Sequence, residues 1–219
     1  MIVVRIRMGS EYNVLSRTKE ALEKNQFKVL VASSKRDAVD KVLGLIPIDA
    51  KVGVGGSMTI RELGLIENLT RRGNSVVHHW LPDMPVSDWL PFMMEEHNSD
   101  VFLCSSNAIT EDGKLVNIDS TGNRVASMIF GPKRVIVVAG KNKIVKDVDE
   151  GLKRLKSVAG PLNAKRHNLK ELPCVATGVC SDCNSPKRIC RVITIIERAP
   201  NRVRGPNITV VLVADELGF

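Results

Sequence analysis

The run KRVIVVAG (133–140) constrains the fold of this 219-residue chain more than any other stretch. It is apolar at consecutive positions between turn residues, so as a strand it must be covered on both faces. Strands of that kind belong to sheets wrapped by helices, and the rest of the sequence alternates the two elements. FKVLVA (27–32), KVGV (51–54), SVVHHW (75–80), VFLCS (101–105), KLVNI (114–118), RVITII (191–196) and NITVVLVA (207–214) read as further strands. Helical patterns fall at 17–25, at 35–46 with Ala38, Val42 and Ile46 on one face, and at 145–159 before Gly160-Pro161. Thr59 and Glu62 form a T-x-x-E capping box for a helix that Arg71-Arg72-Gly73 closes, and Ser120 or Thr121 caps another reaching Ile129. Residues 81–99, with three prolines, read as a lid or excursion holding a short helix. The expected architecture is one α/β domain over residues 1–219, a parallel or mixed sheet flanked by helices. Ligands of such folds bind at the carboxyl ends of the strands.

At 43% hydrophobic and 26% charged residues, the chain can bury a core without disulfides. The opening MIVVRIRMGSEYNV has too short an apolar run for a signal peptide. No stretch approaches the ~18 apolar residues needed to span a bilayer. A cytoplasmic location is expected, where clustered cysteines more often hold metal than pair as disulfides. The net charge of +8 is uneven, because residues 133–204 hold 17 Lys or Arg against 6 Asp or Glu. That third is either a solvated face or an attractor for an anionic metabolite, an acidic partner protein or an anionic cluster. Nucleic acid is disfavoured: aromatics make up 4% of the chain, and no basic strand carries them for stacking. The oligomeric state is left open.

Three loops carry chemistry. KVGVGGSMTIREL (51–63) joins a strand to a helix, and Gly55, Gly56, Ser57, Met58 and Thr59 are candidates to hold a phosphate or carboxylate. It lacks the Gly-Lys-Ser/Thr of a Walker loop, and Met58 stands where a dinucleotide fingerprint needs its third glycine. The bland reading is a tight turn with a hydroxyl cap. The second loop, NAITEDGKLVNIDSTGNRVA (107–126), is dense in binding groups. Glu111 or Asp119 is the candidate general acid or base, and Arg124 the candidate anion clamp. Asn107, Thr110, Thr121, Gly122 and Asn123 complete the candidate set. The alternative is a hydrogen-bonded hairpin whose carboxylates satisfy amides and pair with Arg124. In GKNKIV (140–145), Lys141 and Lys143 face the same anion or are solvated. His78 and His79 read as structural or surface residues, and Cys104 as a small buried hydrophobe.

The third loop, PCVATGVCSDCNSPKRIC (173–190), holds four of the five cysteines in a C-x5-C-x2-C-x6-C pattern: Cys174, Cys180, Cys183 and Cys190. One C-x-x-C knuckle with wider, unequal flanks is closer to iron–sulfur spacing than to the paired knuckles of a zinc ribbon. Lys187, Arg188 and Arg191 would offset the charge of either site. The expected cofactor is an iron–sulfur cluster of the [4Fe-4S] type held by residues 173–191, with zinc the alternative.

VGVGGSMTIRELG, SSNAITEDGKLVNIDSTGNRVA, FGPKRVIVVAGKNKIV and LVADELGF, taken in order, resemble the lactate-utilisation (LUD) domain family. The likeness is to the single-domain type, here with a C-terminal four-cysteine motif. It implies an α/β fold like that of the glucosamine-phosphate deaminase, ribose-phosphate isomerase and CoA-transferase superfamily. It also implies an anionic group of a metabolite over the loop at Gly53–Thr59, with Asn107–Arg124 on the same side of the sheet. Family members are associated with oxidation of lactate to pyruvate in complexes that include iron–sulfur proteins. Two roles follow: action on a small anionic metabolite, or a non-catalytic subunit docked on a lactate-oxidising complex.

Overall fold

The computed structural model describes residues 2–201 and 207–219, with side chains from residue 13 onward. In chain order the elements are α1 (Ile2–Lys24), β1 (Lys28–Ala32), α2 (Lys35–Leu45), β2 (Val52–Val54), α3 (Met58–Glu62), α4 (Leu65–Arg72) and β3 (Val76–Val77). Next come α5 (Trp89–His97), β4 (Val101–Cys104), β5 (Ala108–Thr110), β6 (Leu115–Asp119), α6 (Asn123–Ile129), β7 (Arg134–Gly140) and β8 (Ile144–Val145). The chain closes with α7 (Val148–Arg154), α8 (Gly160–Arg166), α9 (Pro173–Thr177), β9 (Val192–Ile196) and β10 (Asn207–Val213).

Six strands form one sheet in the order β1-β10-β7-β4-β2-β3, with every neighbouring pair parallel. Its central strands divide their side chains between two cores. Ile136 and Val138 of β7 face the cluster that holds Ala38 and Val42 of α2 and Ile60, Leu65 and Leu69 of α3 and α4. Val135, Val137 and Ala139 face Leu15 and Leu22 of α1 and Val125 and Met128 of α6. β4 and β10 alternate in the same way. Each fully buried Val, Leu or Ile contributes about 1.5–3 kcal/mol, so covering both faces is what fixes this sheet. A second sheet, β8-β5-β6-β9, grows from the chain after β4, with β5 and β9 antiparallel to β6. Among the described residues no helix is long and apolar enough to cross a membrane.

Local departures from the sequence reading have local causes. The helix expected from Thr59 to Gly73 is broken at Gly64, which sits at φ 59°, so α3 and α4 are separate. Ser57, not Thr59, caps α3, and Glu62 accepts from the Gly218 amide (2.9 Å) instead of closing a capping box. Gly122 rather than Ser120 or Thr121 stands at the start of α6, because the Asp119 carboxylate reaches the Val125 amide (3.0 Å) and does the capping. Gly160-Pro161 does not end the third helix. A π turn at Leu155–Ala159 links α7 to α8, and its wider winding tolerates the amide that Pro161 lacks. The expected strand 75–80 is regular only at Val76–Val77.

The β5–β6 turn lies against α1 through Gly113, whose φ is 85°. A Cβ there would lie 2.5 Å from the Ala21 carbonyl carbon. Gly113→Ala is expected to cost about 3 kcal/mol from combined overpacking and backbone strain. That should lower the thermal midpoint by roughly 6–12 °C. A midpoint within a degree of wild type would show that α1 does not pack there.

Candidate functional site

β2 and β4 are neighbours, but the chain leaves them in opposite directions, outward to the edge strand β3 and inward toward β7. Such a switch point opens a crevice at the carboxyl ends of the strands. A pocket of about 130 Å3 occupies it, lined by Gly56, Ser57 and Met58 after β2 and by Ser105, Ser106 and Asn107 after β4. The turn between β6 and α6 supplies Asp119, Ser120, Thr121, Asn123 and Arg124, and the turn after β7 supplies Lys143.

Lys143 is 2% exposed. Its Nζ donates to Thr59 Oγ1 (2.9 Å) and to Ser105 Oγ (3.0 Å). Among the described residues no carboxylate pairs with it. Burial first, then the Arg154 and Arg124 guanidinium groups, push its pKa down from 10.5 to about 7. Arg124 is also buried and also lines the pocket, yet both of its terminal nitrogens donate to protein. Its Nη1 donates to Ser105 O (2.7 Å) and Asn117 Oδ1 (2.6 Å), and its Nη2 to Asn107 Oδ1 (2.7 Å), Ile118 O (3.2 Å) and Asp119 Oδ1. Asp119 is engaged at both oxygens, by Arg124 and by the Val125 amide. These two residues therefore build the wall and supply field.

The far side of the pocket comes from α5 and α8. Trp89, Asn163, Arg166 and His167 line it, together with His79. The Nε of Arg166 and the Nε1 of Trp89 are buried without a partner. Burial and Arg61 bring Arg166 down to about 10, and burial, Arg166, His79 and Arg61 bring His167 to about 4. His79 is fixed by its neighbours: Trp80 Nε1, a donor only, donates to His79 Nε2 (3.0 Å). The proton therefore sits on Nδ1, which donates to Glu96 Oε1 (2.6 Å). Burial raises the pKa of Glu96, and His79 offsets part of that rise.

Cys174, Cys180, Cys183 and Cys190 all line a second, smaller cavity of about 20 Å3 with Leu172, Arg188 and Ile189. Cys190 and Ile189 belong to both cavities and so form the partition between them. Gly160 makes room for that partition, since a Cβ there would lie 3.0 Å from Cys190 Sγ. Burial and then the neighbouring thiolates raise the pKa of Cys174 and of Cys190. Four soft donors that repel one another as thiolates are a suitable set for a metal or cluster. Among the described residues, no group of three or more His, Cys, Asp or Glu is arranged to hold a metal ion as it stands. Cys104 is a core thiol, pushed up to about 12 by burial.

Of the residues singled out from sequence, the fold gathers Gly56, Ser57, Met58, Asn107, Asp119, Thr121, Asn123, Arg124, Lys143 and Cys190 at one pocket. Thr59 stands behind it as a partner of Lys143. Gly55 serves packing, because a Cβ there would lie 2.7 Å from the Phe102 ring, and Gly122 makes the turn into α6. Thr110 and Glu111 lie elsewhere: Thr110 Oγ1 accepts from the Lys114 amide (2.9 Å), and Glu111 pairs with Arg17 at the surface (3.1 Å). β5 starts beside the crevice, just after Asn107, and runs away from it, antiparallel to β6, so Glu111 comes out at the opposite end. Arg166, His167 and Trp89 were not anticipated, and His79, read as structural or surface, is a buried pocket wall. The signal for Arg166 and His167 was the basic, His-containing AKRHN (164–168), which the continuation of α8 past Pro161 brings to the site.

The model of the LUD domain family matches residues 15–213. No curated protein matches the chain. A DUF162 family protein from Deinococcus radiodurans, solved by crystallography, has a similar fold. Its TM-score is 0.54 at 16% identity, over 93% of this chain and 97% of that one.

Lys143 should make stability depend on pH. Below about pH 7 both the folded and unfolded chains hold its proton, and the fold carries the cost of a buried ammonium. Between about 7 and 10.5 only the unfolded chain holds it, so stability contributed here rises with pH by up to ~1.4 kcal/mol per unit. Denaturant titrations of wild type should show that rise, and Lys143→Met should flatten it. Parallel profiles for the two proteins would mean that Lys143 is charged and solvated.

Proposed function

This chain belongs to the LUD domain family, and from that premise we propose that it binds and acts on a small carboxylate or phosphate metabolite, of the lactate and 2-hydroxy acid class. The carrying observation is electrostatic. Lys143, Arg124 and Arg166 line one pocket in which Asp119 is the only acidic side chain among the lining residues described. Asp119 is already paired with Arg124, which leaves the lining net positive. Ser57, Ser105 and Ser106 add hydroxyls, and Arg166 adds a guanidinium whose Nη2 lies 2.9 Å from His167 Nε2. An anion is the ligand that satisfies such a set.

Cys174, Cys180, Cys183 and Cys190 would hold an iron–sulfur cluster, of the [4Fe-4S] type, beside the pocket. The group would supply electron transfer or a Lewis-acid iron. What the chain itself contributes is charge balance and placement. Arg188 donates to Cys183 O and Cys190 O (both 2.8 Å) and so ties the two ends of the C-x6-C loop together. A second reading follows from the cavities being distinct, with three of the four cysteines away from the pocket. In it the cysteine segment is an iron–sulfur or zinc clasp of a non-catalytic subunit that docks on a lactate-oxidising complex.

Calorimetric titration should detect binding of phosphate, lactate or pyruvate, weakened about 10- to 100-fold by Arg166→Ala, the loss of a charge-assisted hydrogen bond. Absence of binding by all three at millimolar concentration would sink the anion reading. Protein purified without oxygen should be brown, with about four irons and four sulfides per chain. Cys183→Ser should lose the iron while keeping its far-UV circular dichroism. Colourless protein with one zinc would establish the clasp.

A further inference from the structure

The way Lys143 spends its hydrogens gives it more than charge. Thr59 Oγ1 donates to Leu217 O (3.4 Å), and Ser105 Oγ donates to Ser106 O (3.2 Å). A hydroxyl has one proton to give, so toward Lys143 both oxygens must accept. Two of the positions around Nζ are therefore N–H bonds aimed at protein oxygens, at 2.9 and 3.0 Å. A third is the bond to its own side chain. The fourth is left for the pocket that Lys143 lines. In an ammonium it carries a third N–H, and in a free amine it carries the lone pair. The positive groups around it are Arg154 and Arg124, and the negative ones are Glu62 and, if ionised, Cys104. Burial and the two arginines prevail and bring the group to about 7. About half of the molecules thus present the lone pair at neutral pH, whereas an ordinary lysine does so in roughly one molecule in three thousand.

We propose that Lys143 is a nucleophile that forms an imine with the carbonyl carbon of a small oxo acid bound in this pocket. The proposal rests on the small-acid reading above and adds a covalent step to it. The Nζ lone pair adds to the carbonyl carbon, the nitrogen gives up its two protons to the carbonyl oxygen, and that oxygen leaves as water. The step is a condensation with no oxidation or reduction, so it needs no further reactant. The hydroxyls of Thr59 and Ser105, which accept the two N–H bonds, stand where those protons depart. Arg166, which lines the same pocket, supplies the positive charge for the carboxylate.

The test is reductive trapping on the whole chain with pyruvate as the probe. Cyanoborohydride at neutral pH converts an imine into a stable secondary amine, which peptide mass mapping locates. The expected result is one reduced pyruvate per chain, on Lys143, formed at least about ten-fold faster than at exposed lysines and abolished in Lys143→Arg. Should that variant fail to fold, the map of wild-type protein decides alone. Pyruvate binding is measured in parallel by calorimetry without reductant. Pyruvate bound but Lys143 unlabelled, or labelling spread evenly over the lysines, overturns the imine and leaves the anion site standing. Pyruvate neither bound nor incorporated overturns the imine, and phosphate and lactate binding then decide the anion site separately.

Discussion

The guanidinium of Arg124 is the contact on which the site depends. Buried at 7% exposure, it is surrounded by oxygens of Ser105, Asn107, Asn117, Ile118 and Asp119. Those residues come from the exit of β4, from β6 and from the turn before α6. One cation therefore holds the second sheet and α6 in register with the carboxyl end of the first. Leaving such a charge without its acceptors costs about 3–5 kcal/mol, so these segments have little freedom to part. The same charge depresses the basicity of Lys143. Architecture and electrostatics are here a single property of one side chain.

A second clasp closes the site from the chain's last segment. Asn142 exchanges hydrogen bonds with Leu217 and Gly218, Glu62 accepts from the Gly218 amide, and Thr59 donates to Leu217 O. The glycine loop and the Lys143 turn are thus held against each other by backbone that contributes little chemistry of its own. The block LVADELGF, part of the family resemblance, earns its place in this way. The partition made by Ile189 and Cys190 adds a third constraint, since anything that tightens the cysteine loop acts on a wall of the larger pocket.

Sequence patterning was most legible where a residue's role is set by its own strand or loop. The doubly covered β7, the Ser57-Met58 turn and the polar run that carries Arg124 are of that kind. It was least legible where partners are distant. Thr59 and Glu62 have the spacing of a capping box, but the closing segment and Lys143 compete for them and win. Glu111 has the chemistry of a catalytic acid, but the three-residue β5 carries it away from the crevice to pair with Arg17. His79 and Glu96 form their buried pair across seventeen positions, over the proline-rich excursion and most of α5. Cysteine spacing marked four residues that line one small cavity, while the adjacency of Cys190 to the larger pocket needed the helix to run through Gly160-Pro161.

The position of β10 has a consequence for how the molecule is made. It lies between β1 and β7, although it is the last of the described strands. During synthesis β1 and β7 therefore have no shared neighbour until residues 207–213 have emerged, and both present unpaired backbone edges to their surroundings. β1 waits for β10, which follows every other described strand. Such long-range closure makes folding slow and leaves the nascent chain dependent on protection from aggregation, the more so because both waiting edges are apolar.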